Sequence, residues 1–278
     1  MTMMAKDKKT MRVAVAQMTS GPDVAANLDA AERLVRKAAE WRAELVVLPE
    51  CFAYLGPDSG MREIAEALPS GGPILARCQG LAIELGLELV LGGFWEISDS
   101  AERVRNACVH VDRAGEVAAV YRKVHLFDVD LPDGTKLQES EFVDPGDETV
   151  VTQTGFGGLG LSVCYDLRFP ELYRKLVDQG AIALAVPAAF TQTTGKDHWH
   201  VLLRARAIEQ QSYVIAAAQT GHHYGKRVSY GHAMIVDPWG VVIAQCGEGE
   251  DIAVADIDPA RVDAVRSSLP SLRHRRLG

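Results

Sequence analysis

The sequence places a cysteine at a turn, and a glutamate and a lysine at the ends of strands, where together they could do covalent chemistry. The stretch Leu161-Ser162-Val163-Cys164-Tyr165-Asp166-Leu167-Arg168-Phe169-Pro170-Glu171 reads as an apolar strand over 159–163, a turn, and a helix opened by Pro170. Cys164 falls at the turn, where a thiol is expected to be exposed at the strand end. The N–H groups that open a helix have no partner within it, so donors for an oxyanion stand beside the sulfur. A free cysteine taken alone is more often a small buried hydrophobe. What sets Cys164 apart is its company. Glu50 follows the apolar run 45–48 and Pro49, and Lys123 closes a strand over 116–123. Strand ends from separate units converge on one rim in layered α/β folds. A thiol is mostly protonated at neutral pH. A neighbouring carboxylate can take its proton, while an ammonium keeps that carboxylate charged and later faces the oxyanion of a tetrahedral intermediate. Taken singly, Glu50 reads equally as a solvated strand end, and Lys123 as an ordinary surface lysine.

The elements that must hold these residues follow from hydrophobic periodicity. Residues 12–18 form a buried strand, and Gly21-Pro22-Asp23 turns the chain. Val24, Leu28, Ala31, Val35 and Ala38 recur at helical spacing and predict an amphipathic helix over 24–41. With the strand at 45–48 this makes a βαβ unit. A helix over 73–85 and a strand over 87–94 repeat the pattern. Strands 103–111 and 116–123 form a hairpin about Asp112-Arg113-Ala114-Gly115. Residues 124–146 show weak periodicity, and a loop of that length is usually functional. Further strands are expected at 149–153, 156–163, 182–186, 213–219, 230–236, 241–244 and 253–257, with helices at 171–179, 197–210 and 259–265. Pro238-Trp239-Gly240 reads as a turn with Trp239 packed into it. No linker, low-complexity tract or fixed-period repeat appears. The expectation is one domain over 11–278 behind a loose polar tail, 1–10, arranged as a layered α/β sandwich.

Composition excludes several classes. The 278 residues carry a net charge of −8 and no basic block, which argues against a nucleic-acid partner and against an anionic membrane surface. No apolar run reaches a membrane span and the first ten residues hold no signal-peptide core, so a cytoplasmic protein is expected. Five cysteines, at 51, 78, 108, 164 and 246, are an odd number without CxxC spacing; a disulfide framework or zinc ribbon is not expected, and a reducing compartment is. Cys51 reads as packing. His198 and His200 are two apart and so point to different helix faces. They and His222-His223 lack metal-site spacing, so no metal is expected. A Cys–His pair of Cys164 with His125 or His232 is a competing arrangement.

The segments Leu48-Pro49-Glu50, Tyr121-Arg122-Lys123-Val124-His125-Leu126-Phe127 and Cys164 to Glu171 stand in an order that resembles the three signatures of the nitrilase superfamily of carbon–nitrogen hydrolases. The resemblance covers roughly 11–269. It implies a four-layer αββα sandwich, no cofactor, and a Glu-Lys-Cys catalytic set. In that set Cys164 attacks an amide carbonyl. Glu50 acts as base, then as acid toward departing ammonia, then as base for water on the thioester. Lys123 and the backbone N–H of Tyr165 hold the oxyanion. A second glutamate is implied at Glu139, with Glu141 near enough to compete.

Thr193-Thr194-Gly195 with His198-Trp199, the run from Leu203 to Glu209, and Tyr230-Gly231-His232 through Gly240 resemble the Nit branch. That branch includes amidases of deaminated glutathione and ω-amidases, and the tract 216–223 leading to His232 is more similar to the former. The resemblance therefore implies a small amide substrate bearing a carboxylate: deaminated glutathione first, then 2-oxoglutaramate or another dicarboxylate monoamide. Arg168, four after Cys164, matches the branch's substrate-carboxylate arginine and offers a bidentate fork; a salt bridge to Asp166 or Glu171 is its structural alternative. Phe190 and Thr194 match pocket positions, and selectivity is expected in loops 124–146 and 221–230. A homodimer or larger homo-oligomer is implied, with the helices near 171–179 and 197–210 at its interface. A catalytically weak relative kept as an interaction module is the reading from another class; the complete Glu-Lys-Cys set argues against it.

Overall fold

The computed structural model describes residues 9–100, 102–130 and 136–277. The expected tail therefore lies outside the described residues except at Lys9 and Thr10. The chain runs through β1 (Met11–Met18), α1 (Val24–Glu40), β2 (Leu45–Leu48), α2 (Asp58–Ile64), α3 (Pro73–Leu85), β3 (Glu88–Ile97), β4 (Val104–Val111) and β5 (Val117–Arg122). It continues through β6 (Asp128–Asp130), β7 (Lys136–Gln138), β8 (Val151–Thr154), β9 (Gly157–Leu161), α4 (Pro170–Asp178), β10 (Ala181–Ala185) and α5 (Gln192–Gln210). It ends with β11 (Tyr213–Ala216), β12 (Ala218–His222), β13 (Val228–Tyr230), β14 (Met234–Val236), β15 (Val242–Gln245), β16 (Asp251–Ile257) and α6 (Pro259–Ser268).

Alternation along the strands builds the layers, because successive side chains point to opposite faces of a sheet. Val13, Val15, Leu45, Val47 and Val90 join a core with Leu159, Leu161, Ala183 and Ile215. Their neighbours Ala14, Ala16, Val46, Leu48, Leu89 and Leu91 join a second core with Leu28, Leu34 and Val35 of α1 and Leu75 and Leu81 of α3. The first sheet, in order β13-β12-β1-β2-β3-β4-β5 with β16 also on β1, is thus covered by helices on one face and by the second sheet on the other. The second sheet, β15-β14-β11-β10-β9-β8, carries Leu172 and Leu176 of α4 and Trp199 and Leu203 of α5 on its far side. The result is the four-layer αββα sandwich. Strands buried on both faces read as continuous apolar runs, as β2 and β10 do.

That continuity hides where the chain changes sheet. The expected strand 213–219 is two strands, with β11 in the second sheet and β12 beside β1 in the first. The expected strand 230–236 is likewise divided between β13 and β14. The return crossing passes through Gly231 and His232, with φ of 77° and 62°. Helix α5 starts at Gln192 rather than 197, capped by the Thr191 side chain accepting from the Thr194 N–H. Helix α2 and the short β6–β7 pair were not expected, the latter inside the predicted loop. Trp239 is half-exposed on its turn and not packed into it.

Candidate active site

Three strand ends deliver the chemistry. Glu50 lies just beyond β2, Lys123 follows β5 directly, and Cys164 opens a 3-10 turn beyond β9. The Cys164 backbone has φ of 49° and its N–H donates to Pro187 O at 2.9 Å. The seat of Glu50 requires a glycine next door. A Cβ on Gly93, itself at φ 60°, would come within 2.3 Å of Cys51 N and 2.7 Å of Glu50 Cγ, a space and a backbone angle that only glycine accepts cheaply.

The side chains meet in a buried cluster. Lys123 Nζ donates to Glu50 Oε1 at 3.0 Å and to both Glu139 oxygens at 2.9 and 2.8 Å. Asn106 Nδ2 donates to Glu50 Oε1 and to Glu139 Oε1, each at 3.1 Å. The Ala189 N–H donates to Glu50 Oε2 at 2.9 Å, and that of Phe127 to Glu139 Oε2 at 2.7 Å. Only 4% of Glu50, 2% of Lys123 and 7% of Cys164 is exposed. The thiol is therefore buried, not exposed at a strand end as the sequence suggested. Glu139 is the second glutamate in contact with Lys123; Glu141 lies on the cavity wall nearby.

Burial and pairing oppose each other at every group. Burial would push the Glu50 carboxyl up, but the Lys123 charge and hydrogen bonds from Cys164, Lys123 and Asn106 prevail and hold it below its ordinary value. Burial would lower the Lys123 ammonium, yet the Glu139 and Glu50 carboxylates hold it well above. The Cys164 thiol is pushed well up, first by burial and then by the Glu50 charge, against the pull of Lys123. The resting site is a neutral thiol hydrogen-bonded to an ionised glutamate, so it needs a base to make its nucleophile.

The turn that carries Cys164 is tied to the lysine segment through the fully buried Asp166. Its carboxylate accepts from Tyr121 Oη at 2.7 Å, His125 N at 3.1 Å, His125 Nδ1 at 2.7 Å and Val163 N at 2.8 Å. His125 also stacks on Phe169 at 3.7 Å. His232 hydrogen-bonds Tyr230 O and stacks on the Tyr230 ring. The two histidines that competed as partners of Cys164 are thus engaged elsewhere. The Cys164 N–H goes to Pro187 and the Asp166 N–H to Val163 O. Between them the Tyr165 N–H has no backbone acceptor among the described residues.

A cavity of about 370 Å³ opens over the cluster. Glu50, Lys123, Glu139 and Cys164 line its base, with Leu55, Met61, Trp95 and Phe127 among its apolar walls. Arg168, Phe190 and Thr194 do not line it. Arg168 hydrogen-bonds His198 Nδ1 at 3.3 Å and lies over the rings of Tyr165 and Phe190; it pairs with neither Asp166 nor Glu171. Thr194 sits in the first turn of α5, its hydroxyl 2.9 Å from that of Thr191. The histidines weighed for a metal go to separate partners: His198 to Arg168, His200 to Gln245, His222 to Gly225 O and His223 to Ser20 O.

Residues 12–267 match the carbon–nitrogen hydrolase family. The chain belongs to that family. A deaminated glutathione amidase of Synechocystis is 48% identical over 270 residues, which span 96% of this chain and 98% of that one. The crystal structure of the Caenorhabditis elegans NitFhit protein superposes with a TM-score of 0.90 at 43% identity, over 97% of this chain and 66% of that one. Saccharomyces cerevisiae Nit3, a member of branch 10 of the nitrilase superfamily, gives 0.86 at 31% identity over 97% of each chain. Within this carbon–nitrogen hydrolase, sequence reasoning missed Asn106 and the whole of α2, and it named the 221–230 loop without singling out Tyr224 and Arg227 in it. Asn106 left one signal, an amide next to the apolar stretch 107–109 of β4. Arg227 left only the expectation that the 221–230 loop sets selectivity; its turn becomes part of the site when β12 and β13 pair.

Proposed function

We propose that this carbon–nitrogen hydrolase is an amidase of deaminated glutathione, working through a Cys164 thioester without a cofactor. The observation that carries the reading is Cys164 buried at the base of one cavity with Glu50, and Lys123 held between Glu50 and Glu139 at 3.0 and 2.8 Å; burial and the Glu50 charge raise the thiol while Lys123 holds the Glu50 carboxyl down. Glu50 takes the thiol proton as sulfur adds to the carbonyl carbon. The oxyanion faces Lys123 Nζ and the Tyr165 N–H. Glu50 then gives the proton to the amide nitrogen and the C–N bond breaks, leaving a thioester. Glu50 next takes a proton from water; hydroxide adds, the C–S bond breaks, and the proton returns to sulfur. Glu139 and Asn106 hold Lys123 and Glu50 in place, and one oxyanion donor contributes roughly a hundred- to a thousandfold in such sites. For deaminated glutathione, an amide of a 2-oxo dicarboxylic acid with a dipeptide, the departing group is the dipeptide amine and not ammonia.

The substrate assignment rests on the 48% identical relative that bears that name and spans 96% of this chain. The protein acts as one domain over 11–278, since both sheets share a single core. Its five cysteines are free and buried, which fits a reducing, cytoplasmic setting; among the described residues no helix is long and apolar enough to cross a membrane. A homodimer through α5 is part of the same reading.

The test measures dipeptide release from deaminated glutathione beside ammonia release from 2-oxoglutaramate, with Cys164→Ala as blank. The expected result is preference for deaminated glutathione and no turnover by a variant that melts like the parent, because alanine differs by one sulfur at an already left-handed position. Preference for 2-oxoglutaramate would make it an ω-amidase. Loss of cooperative melting in Cys164→Ala would make that cysteine structural.

A further inference from the structure

We propose that Arg227 is the carboxylate anchor of the cavity, the guanidinium that reads a carboxylate of the amide substrate. The inference rests on the amidase reading and names the group that would give it selectivity. Arg227 and Tyr224 enter the cavity wall from the turn between β12 and β13. That turn is held in shape: the Arg227 N–H donates to Tyr224 O at 2.8 Å, the His223 N–H donates to Arg227 O at 3.0 Å, and His223 Nδ1 donates to Ser20 O at 2.8 Å.

The side chain is not satisfied. Arg227 Nε is buried and has no hydrogen-bond partner, and no carboxylate among the described residues lies within ion-pair distance of the guanidinium. Other buried or partly buried arginines here have acceptors: Arg122 pairs with Glu96, Arg206 with Glu209 and Leu167 O, and Arg266 donates to Gln211 O and Ala181 O. A guanidinium keeps its charge in a protein and presents N–H groups in a fork that fits a carboxylate. A buried donor left without an acceptor in a ligand cavity calls for one from the ligand. Asp58 and Glu141 lie on the same wall, and Lys136 adds a second cation at the exposed rim. Arg168 lies off this wall, so the cavity's own free guanidinium is that of Arg227.

Deaminated glutathione offers two carboxylates, one on the 2-oxo acid and one at the end of the departing dipeptide; 2-oxoglutaramate offers only the first. The experiment compares wild type, Arg227→Gln and Arg227→Lys on deaminated glutathione, its C-terminal amide, 2-oxoglutaramate and the uncharged butyramide. Each kcat/KM is taken relative to butyramide. Loss of a charged hydrogen bond should lower the ratio about 10- to 100-fold in Arg227→Gln, mostly through KM, with partial recovery in Arg227→Lys. A fall on all three oxo-acid substrates assigns Arg227 to the oxo-acid carboxylate. A fall on deaminated glutathione alone, matched by wild type discriminating against the capped amide, assigns it to the dipeptide end. Should Arg227→Gln fail to fold, Arg227→Lys and the capped substrate on wild type carry the comparison. Unchanged ratios, or a fall shared by butyramide, overturn the anchor while leaving the amidase reading intact. Wild type that hydrolyses butyramide but none of the carboxylate-bearing amides overturns both.

Discussion

Lys123 has more than one duty, and its surroundings say which comes first. Its ammonium is buried with two carboxylates at hydrogen-bond distance, so it neutralises charge that the interior would otherwise reject. We predict that Lys123→Met costs about 3–5 kcal/mol of stability, the range for removing one member of a buried pair, besides abolishing turnover. The sign follows from burial: without the ammonium, desolvation acts unopposed on Glu50 and its carboxyl rises. Lowering the pH should therefore restore part of the lost stability in Lys123→Met, where wild type shows no such gain. Thermal melts of both proteins at neutral and mildly acidic pH check this; an unchanged melting temperature at neutral pH would mean that water replaces the ammonium. At this scale the sequence was informative where residue type met strand end. Glu50, Lys123 and Cys164 each close an apolar run, and an apolar run is visible in one dimension. Asn106 was not legible, and Arg227 only as part of the 221–230 loop, because their relation to the cluster depends on how the strands pair. Arg168 was legible as an arginine near the nucleophile, but not its engagement with His198, which arrives from α5.

The element that joins stability to the cavity is the β12–β13 hairpin. His223 at its turn donates through Nδ1 to Ser20 O and leaves Nε2 buried without a partner. Burial, with Arg227 and His222 as nearby positive charge, lowers this imidazole to about 4. In the unfolded chain it would titrate near 6.5. The unfolded state thus binds a proton between these values and the folded state does not. Its contribution is fully present above about pH 6.5 and is lost as the pH falls toward 4. We predict that the melting temperature drops more steeply from pH 7 to pH 5 in wild type than in His223→Gln, measured by calorimetry in one ionic strength; parallel curves would mean that water reaches Nε2. The 221–230 loop was readable as a selectivity loop, but not the hairpin that carries it. The tract 213–218 is apolar throughout, so the switch from β11 to β12 leaves no mark in polarity, and the return crossing is marked by backbone angles at Gly231 and His232. The amphipathic helices were readable because α1 shows its buried face at regular spacing.

At the scale of the molecule, one face remains apolar and open. Val201 is 65% exposed and Ile208 48% on α5, and beside them Trp239, Val241 and Ile243 stand out from the β14–β15 hairpin. The two elements are tied together: Arg204 Nε donates to Gly240 O at 2.8 Å, and the Ile208 side chain packs over Gly240. Monomeric proteins rarely leave a contiguous apolar patch of this kind uncovered, and a two-fold axis buries the same patch of two chains against itself. The family resemblance points to α5 as a dimer helix; α4, named with it, carries no large exposed apolar side chain. The same helix reaches the catalytic turn, since Arg206 Nε and Nη2 donate to Leu167 O at 3.1 and 2.9 Å. We predict that a second chain covering α5 also steadies the turn on which Cys164 sits. We predict a dimer by light scattering at micromolar concentration and a monomer for Ile208→Glu. The two-fold axis enters the new charge twice, and each copy would have to be desolvated in the interface. Turnover should fall with the mass, while the far-ultraviolet spectrum stays that of the parent. A monomeric variant with full activity would mean that Arg206 holds the turn without help from a second chain, and a dimeric Ile208→Glu would move the interface off this face.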